Sequence, residues 1–459
     1  MRTEASQKLI AGYGPVYRFL IIVAVILFCL GCAEGSQAVQ DGNQSSSTPH
    51  SPTLPSTNSA STQPATPSTP PAAQTAQVNS PITNPAMNGT LFVAASPVMV
   101  GRGSGEVFLV DIDYDGYLDV LTKHLLNKSL SVRLGDGKGH FAQSAEGSIG
   151  LGYEPGAIAV GDVNGDGILD LGIASKDSRR ESVSVLLGDR KGGFSPASGS
   201  PFAASESMEF YKPSIHFADL NGDGKLDIIT ANGRRNTVEI FSGDGSGEFS
   251  QEVVLRLESG RSFYSYALGD VDGDGSLDLV TASGGPRPDR DSGQVAVQRG
   301  NGRGGFGDAA GHALSVAPDP RVAALVDVNG DGRVDVILSH GRSSLLSVLL
   351  NEGKGVFMPR PGSGINVGES AFEVAAVDVN EDKKADLVVA TVDGDAPFES
   401  KIAVLLSDGQ GYFAAAPGSP FAAGRGAYQL AVGDVNEDGK VDIAASSFEG
   451  DSVTLLLHR

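Results

Sequence analysis

The chain has 459 residues, a formal net charge of −21, 61 Gly, 2 Cys and no Trp. Two cysteines exclude a disulfide-stapled scaffold, and so much glycine requires frequent tight turns. The length suits two or three ordinary domains or one repeat array, and no nucleic-acid partner is expected of so acidic a chain.

At the N-terminus, Arg2, Lys8 and Arg18 precede the apolar run FLIIVAVILFCL (19–30), which ends at Gly31-Cys32. Twelve apolar residues suit the core of a signal peptide and fall short of a membrane-spanning helix. The run and the Gly-Cys that closes it resemble a bacterial lipoprotein signal. That resemblance implies a signal peptide over 1–31, lipidation of Cys32 and an anchor of acyl chains in a membrane. Cys29 departs from the pattern, standing where Leu is usual. Plain secretion or an uncleaved anchor are the alternatives. Residues 32–88 follow, rich in Ser, Thr and Pro, with Glu34 and Asp41 as the charges of the segment. With so little to bury, this segment is expected to be a disordered tether.

From residue 89 one unit is written seven times. Its loops are DIDYDGYLD (111–119), DVNGDGILD (162–170), DLNGDGKLD (219–227), DVDGDGSLD (270–278), DVNGDGRVD (327–335), DVNEDKKAD (378–386) and DVNEDGKVD (434–442). A period between 51 and 57 residues points to a propeller or solenoid. The loops hold 23 Asp at positions 1, 3, 5 and 9, so the rest of the chain carries about +2. Short runs rich in Val, Ile and Leu bracket each loop, as in AIAVGD and LDLGIAS, and read as strands. Gly-rich turns such as LGDGKGHF and LGDRKGGF close six units, and the Phe ending each turn is predicted to open a fourth strand. Four antiparallel strands are the content of one propeller blade.

The seventh unit stops after its third strand, at DSVTLLLHR. The missing piece stands at the other end of the domain, where LFVAASPVMVGRGSGEVFLVD (91–111) matches YFAAAPGSPFAAGRGAYQLAVGD (412–434) in order. The first strand is therefore predicted to complete the last blade and close the ring, which removes an exposed sheet edge. An open solenoid would leave that match unused. The expected fold is all-β, a seven-bladed propeller over 89–459 closed by the N-terminal strand.

These units are similar to FG-GAP/VCBS repeats, the blades of integrin-α-type propellers, and closer to the bacterial VCBS form because no unit has a GAP tripeptide. Four oxygens at positions 1, 3, 5 and 9 converge only if the backbone wraps around a point, and glycine at position 6 permits the sharp turn. A hard cation supplies the point, since calcium takes six to eight oxygens. The candidate ligands are Asp111, Asp113, Asp115 and Asp119; Asp162, Asn164, Asp166 and Asp170; Asp219, Asn221, Asp223 and Asp227; Asp270, Asp272, Asp274 and Asp278; Asp327, Asn329, Asp331 and Asp335; Asp378, Asn380, Asp382 and Asp386; and Asp434, Asn436, Asp438 and Asp442. The resemblance implies a further ligand from the backbone carbonyl of position 7, Ile168 in the second loop. An EF-hand is excluded by Ile173, Thr122 and Thr230 where its bidentate Glu would stand. Plain acidic Asx-type turns are the alternative. Up to seven structural Ca²⁺ are expected, strongest in the first and fourth loops, which have four Asp each. The sixth loop should be weakest, with Lys383 in place of glycine.

Strand alternation puts the aspartate loops and Gly-rich turns on one end of the ring. The opposite end carries Lys123, Lys128, Lys176, Arg179, Arg180, Arg234, Arg235, Arg287, Arg290 and Arg342. This basic set is expected to bind a surface protein or an anionic glycan, with ordinary solvated charge as the alternative. Tyr153, Tyr211, Tyr264 and Tyr428, near the starts of the innermost strands, either ring the channel mouth or pack. An enzyme is not expected, because there is no G-x-S-x-G, H-E-x-x-H or P-loop. A carbohydrate-active enzyme or a lectin using a propeller face is the runner-up. The expected protein is a monomer, on a membrane anchor facing the periplasm or the cell exterior.

Overall fold

The structure, a computed structural model, describes residues 90–459 apart from 176–181, 204–213, 233–235, 258–261, 286–291, 310–312, 342, 363 and 394–398. The signal, Cys32 and the tether lie outside the described residues. Among those described, no helix is long and apolar enough to cross a membrane.

Each unit folds as an antiparallel sheet whose strands run in chain order outward from a common axis. Blade 2 shows the plan, with Pro155–Gly161 innermost, then Asp170–Ser175, Ser182–Gly188 and Phe194–Pro196. The aspartate loop joins the first strand to the second, and its ninth residue begins the second strand in every blade. Phe141, Phe194, Phe249, Phe306, Phe357 and Phe413 open fourth strands, as the turns predict. In blades 2, 4, 5, 6 and 7 the outer strand comes as two pieces on one partner. Phe194–Pro196 and Phe202–Ala203, for example, both pair with Ser182–Gly188. Pro196 and Pro201 flank that break, where a residue without an N–H costs the ladder least.

The ring closes as expected. Phe92–Ala94 and Val98–Met99 pair with Ser452–His458, Phe92 opposite His458 and Val98 opposite Val453. Seven sheets result, and blade 7 is built from both ends of the domain.

The second and third strands read as unbroken apolar runs because both of their faces are covered by neighbouring blades. Asp386–Val392 is buried at every position. The core is accordingly divided into seven clusters, one at each blade interface. Leu121, Leu130 and Val132 of blade 1 meet Leu171, Ile173 and Leu186 of blade 2 in one of them. Val120 and Val107 of blade 1 meet Ala444, Val453 and Leu455 of blade 7 in another, which seals the ring.

Neighbouring blades are also stitched by backbone bonds on the loop-bearing end. A glycine in each of four Gly-rich turns donates its N–H to the carbonyl of loop position 2 in the preceding blade. These are Gly139 to Val435, Gly304 to Leu220, Gly355 to Val271 and Gly411 to Val328, at 2.9–3.0 Å. The aspartate loops thus belong to the joints between blades.

Along the axis runs a cavity of about 480 Å³ to which all seven innermost strands contribute, among them Glu106, His216, Tyr264, Glu373 and Gln429. Lys123, expected on the basic end, is instead turned inward, 3.0 Å from Glu106 and bonded to the carbonyl of Gly156. Burial of its long stem and the carboxylate beside it account for that placement, since an unpaired ammonium would be costly there. Tyr153 packs in the blade 1–2 core, and Tyr428 meets Phe372 edge-on at 4.9 Å. Tyr264 lines the channel, and Tyr211 lies outside the described residues.

Candidate metal centres

The second loop shows how the turn is made. Asp162 Oδ1 accepts the N–H groups of Gly165 and Asp166, and its Oδ2 accepts that of Gly167 at 2.8 Å. Asn164 Oδ1 accepts the Asp166 N–H at 2.9 Å, and Asp166 Oδ1 accepts the Ile168 N–H at 2.7 Å. Each oxygen-bearing side chain is thus fixed by the backbone it curls. Such wrapping needs left-handed backbone at two positions. Position 6 is one, as the sequence suggests, with Gly167 at φ 77°. Position 4 is the other, filled by Gly165, Gly222, Gly273 and Gly330 but also by Tyr114, Glu381 and Glu437, at φ 57–63° for these last three. The requirement at position 4 was missed from the sequence because three loops place ordinary residues there.

Position 9 has a second role. In all seven loops the aspartate is almost wholly buried. Its Oδ2 accepts the N–H of loop position 2, and its Oδ1 accepts an N–H at the end of the third strand. For Asp170 the donors are Val163 and Gly188, at 3.0 and 2.9 Å. The other six repeat the pattern within 2.7–3.1 Å. In four of the loops position 2 then passes its carbonyl to the next blade. The side chain there, Val163 or its counterpart, is buried in the blade interface. In blades 1 to 4 the third-strand donor is a glycine for a steric reason. A Cβ at Gly188 would stand 2.3 Å from the carbonyl oxygen of Leu169, and Gly135, Gly243 and Gly300 meet the same obstacle. Blade 5 solves it with Asn351, whose Nδ2 donates to the carbonyls of Val334 and Val271.

Burial is the main reason these position-9 carboxyls titrate high. Asp119 and Asp386 are pushed up to about 7, and Asp170, Asp335 and Asp442 to about 6. Asp227 and Asp278 are raised for the same cause. Backbone N–H bonds pull each of them down, and the other loop aspartates push them up. A divalent ion would reverse this balance by supplying the missing opposite charge.

The two loops with Asp at position 3 gather carboxylate oxygens closest. Ligand atoms of Asp111, Asp113 and Asp115 lie within 4.8 Å of one another, and so do those of Asp270, Asp272 and Asp278. In three of the loops where position 3 is Asn, its amide donates to the position-5 carboxylate, Asn164 to Asp166 at 3.0 Å, Asn380 to Asp382 and Asn436 to Asp438. In the first loop Asp111 Oδ1 is buried without a hydrogen-bond partner among the described residues, on a residue 5% exposed. A hard cation among all-oxygen donors answers that orphaned atom, so the residues fit a calcium-type ion.

Among the other sequence-predicted site residues, Arg179, Arg180, Arg234, Arg235, Arg287 and Arg290 all lie outside the described residues. Arg299 was not foreseen. It stands 27 positions from Asp272 and reaches its Oδ2 at 3.1 Å, a contact that only the folded blade creates.

Fold and site together define a seven-bladed β-propeller that carries one carboxylate loop at the start of every second strand. The chain belongs to the FG-GAP-like repeat family, which it matches over residues 125–173, 219–281, 327–389 and 378–445, together just over half of its length. It is similar to BBS1N in complex with ARL6DN, in crystals soaked with mercury, at 12% identity and a TM-score of 0.54, covering 81% of this chain and 98% of that one. A protein from Lactobacillus plantarum is similar at 14% identity and a TM-score of 0.48, over 79% of this chain and 92% of that one. At 12% identity the first of these likenesses speaks to fold alone. Comparison with curated proteins gives no match.

Proposed function

We propose that this protein is a calcium-stabilised propeller, held outside the cytoplasm on a lipid anchor at Cys32, that acts as a binding or scaffold module. Its end opposite the aspartate loops takes a surface protein or an anionic glycan. The observation that carries the calcium reading is the first loop, where three carboxylates converge and Asp111 Oδ1 is buried without a hydrogen-bond partner among the described residues. Position 9 explains why the ion matters beyond its own loop. The same aspartate that faces the ion ties the third strand, and in four loops position 2 is also bonded to the next blade. An ion bound by the folded ring alone stabilises the ring by mass action.

Support for the anchor and the partner comes from sequence. The apolar run ending at Gly31-Cys32 supplies the first, and the basic connections in blades 2 to 4 supply the second. Melting in millimolar calcium and after chelation tests the ion, with a lower melting temperature expected without it. A chelated sample that melts with the untreated one would remove the calcium reading. Mass spectrometry of the membrane-extracted protein should find acylated Cys32 as its first residue. For the partner, Arg179, Arg180, Arg234 and Arg235 are changed together to Glu, and capture of surface glycans or proteins in calcium should fall. Unchanged capture would dismiss the basic end as the binding surface.

A further inference from the structure

Loops 1 and 4 have the same ligand inventory, four aspartates each, yet the folded chain treats them differently. In loop 4 the Arg299 guanidinium lies 3.1 Å from Asp272 Oδ2, on a carboxylate only 9% exposed. Its other end donates to the carbonyl of Lys354 in the Gly-rich turn of blade 5, at 2.8 Å, which holds the cation in place. Loops 5 and 6 also carry cations from the chain. Arg333 reaches Asp331 at 2.6 Å while its Nε donates to the carbonyl of Asn351, and Lys384 reaches Asp382 at 3.3 Å. Among the described residues no such ion pair reaches Asp111, Asp113, Asp115 or Asp119, and there the buried Asp111 oxygen is left unpartnered.

We propose that Arg299, Arg333 and Lys384 divide the ring into two kinds of ion site, so that loop 1 fills first and the loops of blades 4, 5 and 6 fill last. The inference rests on the calcium reading above and adds an order to it. A fixed positive charge a few ångströms from the ligands repels an incoming divalent ion and already satisfies one of the carboxylates it needs. Arg299 has the largest effect, because its partner carboxylate is nearly buried. The partners of Arg333 and Lys384 are more exposed, Asp331 at 28% and Asp382 at 33%, so water screens those pairs more. Loop 4 is thereby moved from among the strongest sites, where its four aspartates alone would put it, to among the weakest.

Tyr114 and Tyr117 sit inside loop 1, and no other aspartate loop contains an aromatic residue. Terbium(III), which substitutes for calcium and emits when a nearby tyrosine is excited, therefore reports chiefly loop 1, with Tyr412, next to the Gly411 that is bonded to loop 5, as a weaker source. In a titration of the whole propeller, tyrosine-sensitised emission should saturate with the first equivalent of terbium, and the double variant Y114L/Y117L, which leaves Tyr412 in place, should lose most of it. Calorimetric titration with calcium should show a tight and a weak class of sites. Arg299→Gln should move one ion from the weak class to the tight one, a gain of roughly tenfold in that site's affinity. Arg299→Lys, which keeps the charge, should leave the isotherm as it is. Emission that rises only after several equivalents, or an isotherm that Arg299→Gln leaves unchanged in a protein of unaltered circular dichroism, overturns the proposal. Absence of any calcium binding would instead defeat the calcium reading itself.

Discussion

A position-9 aspartate such as Asp170 carries two loads at once. Two backbone N–H groups, from Val163 and Gly188, end on its buried oxygens. Asp170→Ala leaves both donors without a partner in a place water does not reach, and the destabilisation should be about 2–4 kcal/mol. Urea unfolding in the presence of chelator measures this with the ion removed from the comparison. Backbone conformation sets the other residue-scale expectation. Loop 6 has two side chains in left-handed backbone, Glu381 at φ 60° and Lys383 at φ 67°. Each costs about 1–2 kcal/mol relative to a residue without a Cβ. Lys383→Gly removes one of these penalties at the expense of some chain entropy, so a net gain of about 1 kcal/mol is expected. It also removes a positive charge beside Asp378 and Asp382, so calcium affinity in that loop should rise with it.

At the scale of elements, the loop and the turn of the next blade act as a pair. Position 2 gives its N–H to its own aspartate and its carbonyl to a neighbouring glycine, as Val271 does with Asp278 and Gly355. Damage to a loop is therefore felt in two blades. Blade 5 concentrates the coupling in Asn351, 1% exposed, which bonds Val334 within the blade and Val271 across the interface. Asn351→Ala should cost about 2 kcal/mol, since the carbonyl of Val334 loses the Asn351 donor and that of Val271 keeps only Gly355. Hydrogen exchange should show faster opening in both blade 4 and blade 5. Protection lost in blade 5 alone would mean that the cross-blade bond carries little.

For the whole ring, the raised position-9 carboxyls make stability depend on pH in a direction that the ion reverses. An aspartate pushed up from 3.8 to about 7, as at Asp119 and Asp386, holds its proton in the folded state where the unfolded chain has released it. Its stabilising contribution is complete below pH 3.8 and is lost as pH rises through about 7. Buried His124, pushed down to about 4, has the opposite sign, losing stability as pH falls below 6.5. Unfolded histidines are still partly protonated between about pH 6.5 and 7.5, and His216 is also pushed down to about 4, so their gain offsets the carboxyl loss in that range. The carboxyls are therefore read from the difference between two profiles. Relative to chelator, millimolar calcium should raise the melting temperature more at pH 8 than at pH 6, because the ion needs the deprotonated form. Identical profiles in both solutions would contradict a cation in these loops.

The sequence by itself determined the number of blades, the strand order within each, the closing of the ring and the loops. All of these depend on local patterning repeated seven times. A strand run, an Asp-rich turn and a Gly-rich turn are legible in any one unit, and the incomplete seventh unit shows what the first strand must do. The dual role of position 9 was partly legible, because an aspartate always opens the second strand, but its backbone partners come from elsewhere in the fold. The tertiary structure alone decided the rest. The inward turn of Lys123 toward Glu106, the bonds from turn to neighbouring loop and the guanidinium of Arg299 on Asp272 join residues far apart in the chain. Repeats that look alike in sequence acquire different charge surroundings once their neighbours close around them. Electrostatics depends on distance in space, and seven similar motifs need not make seven equal sites.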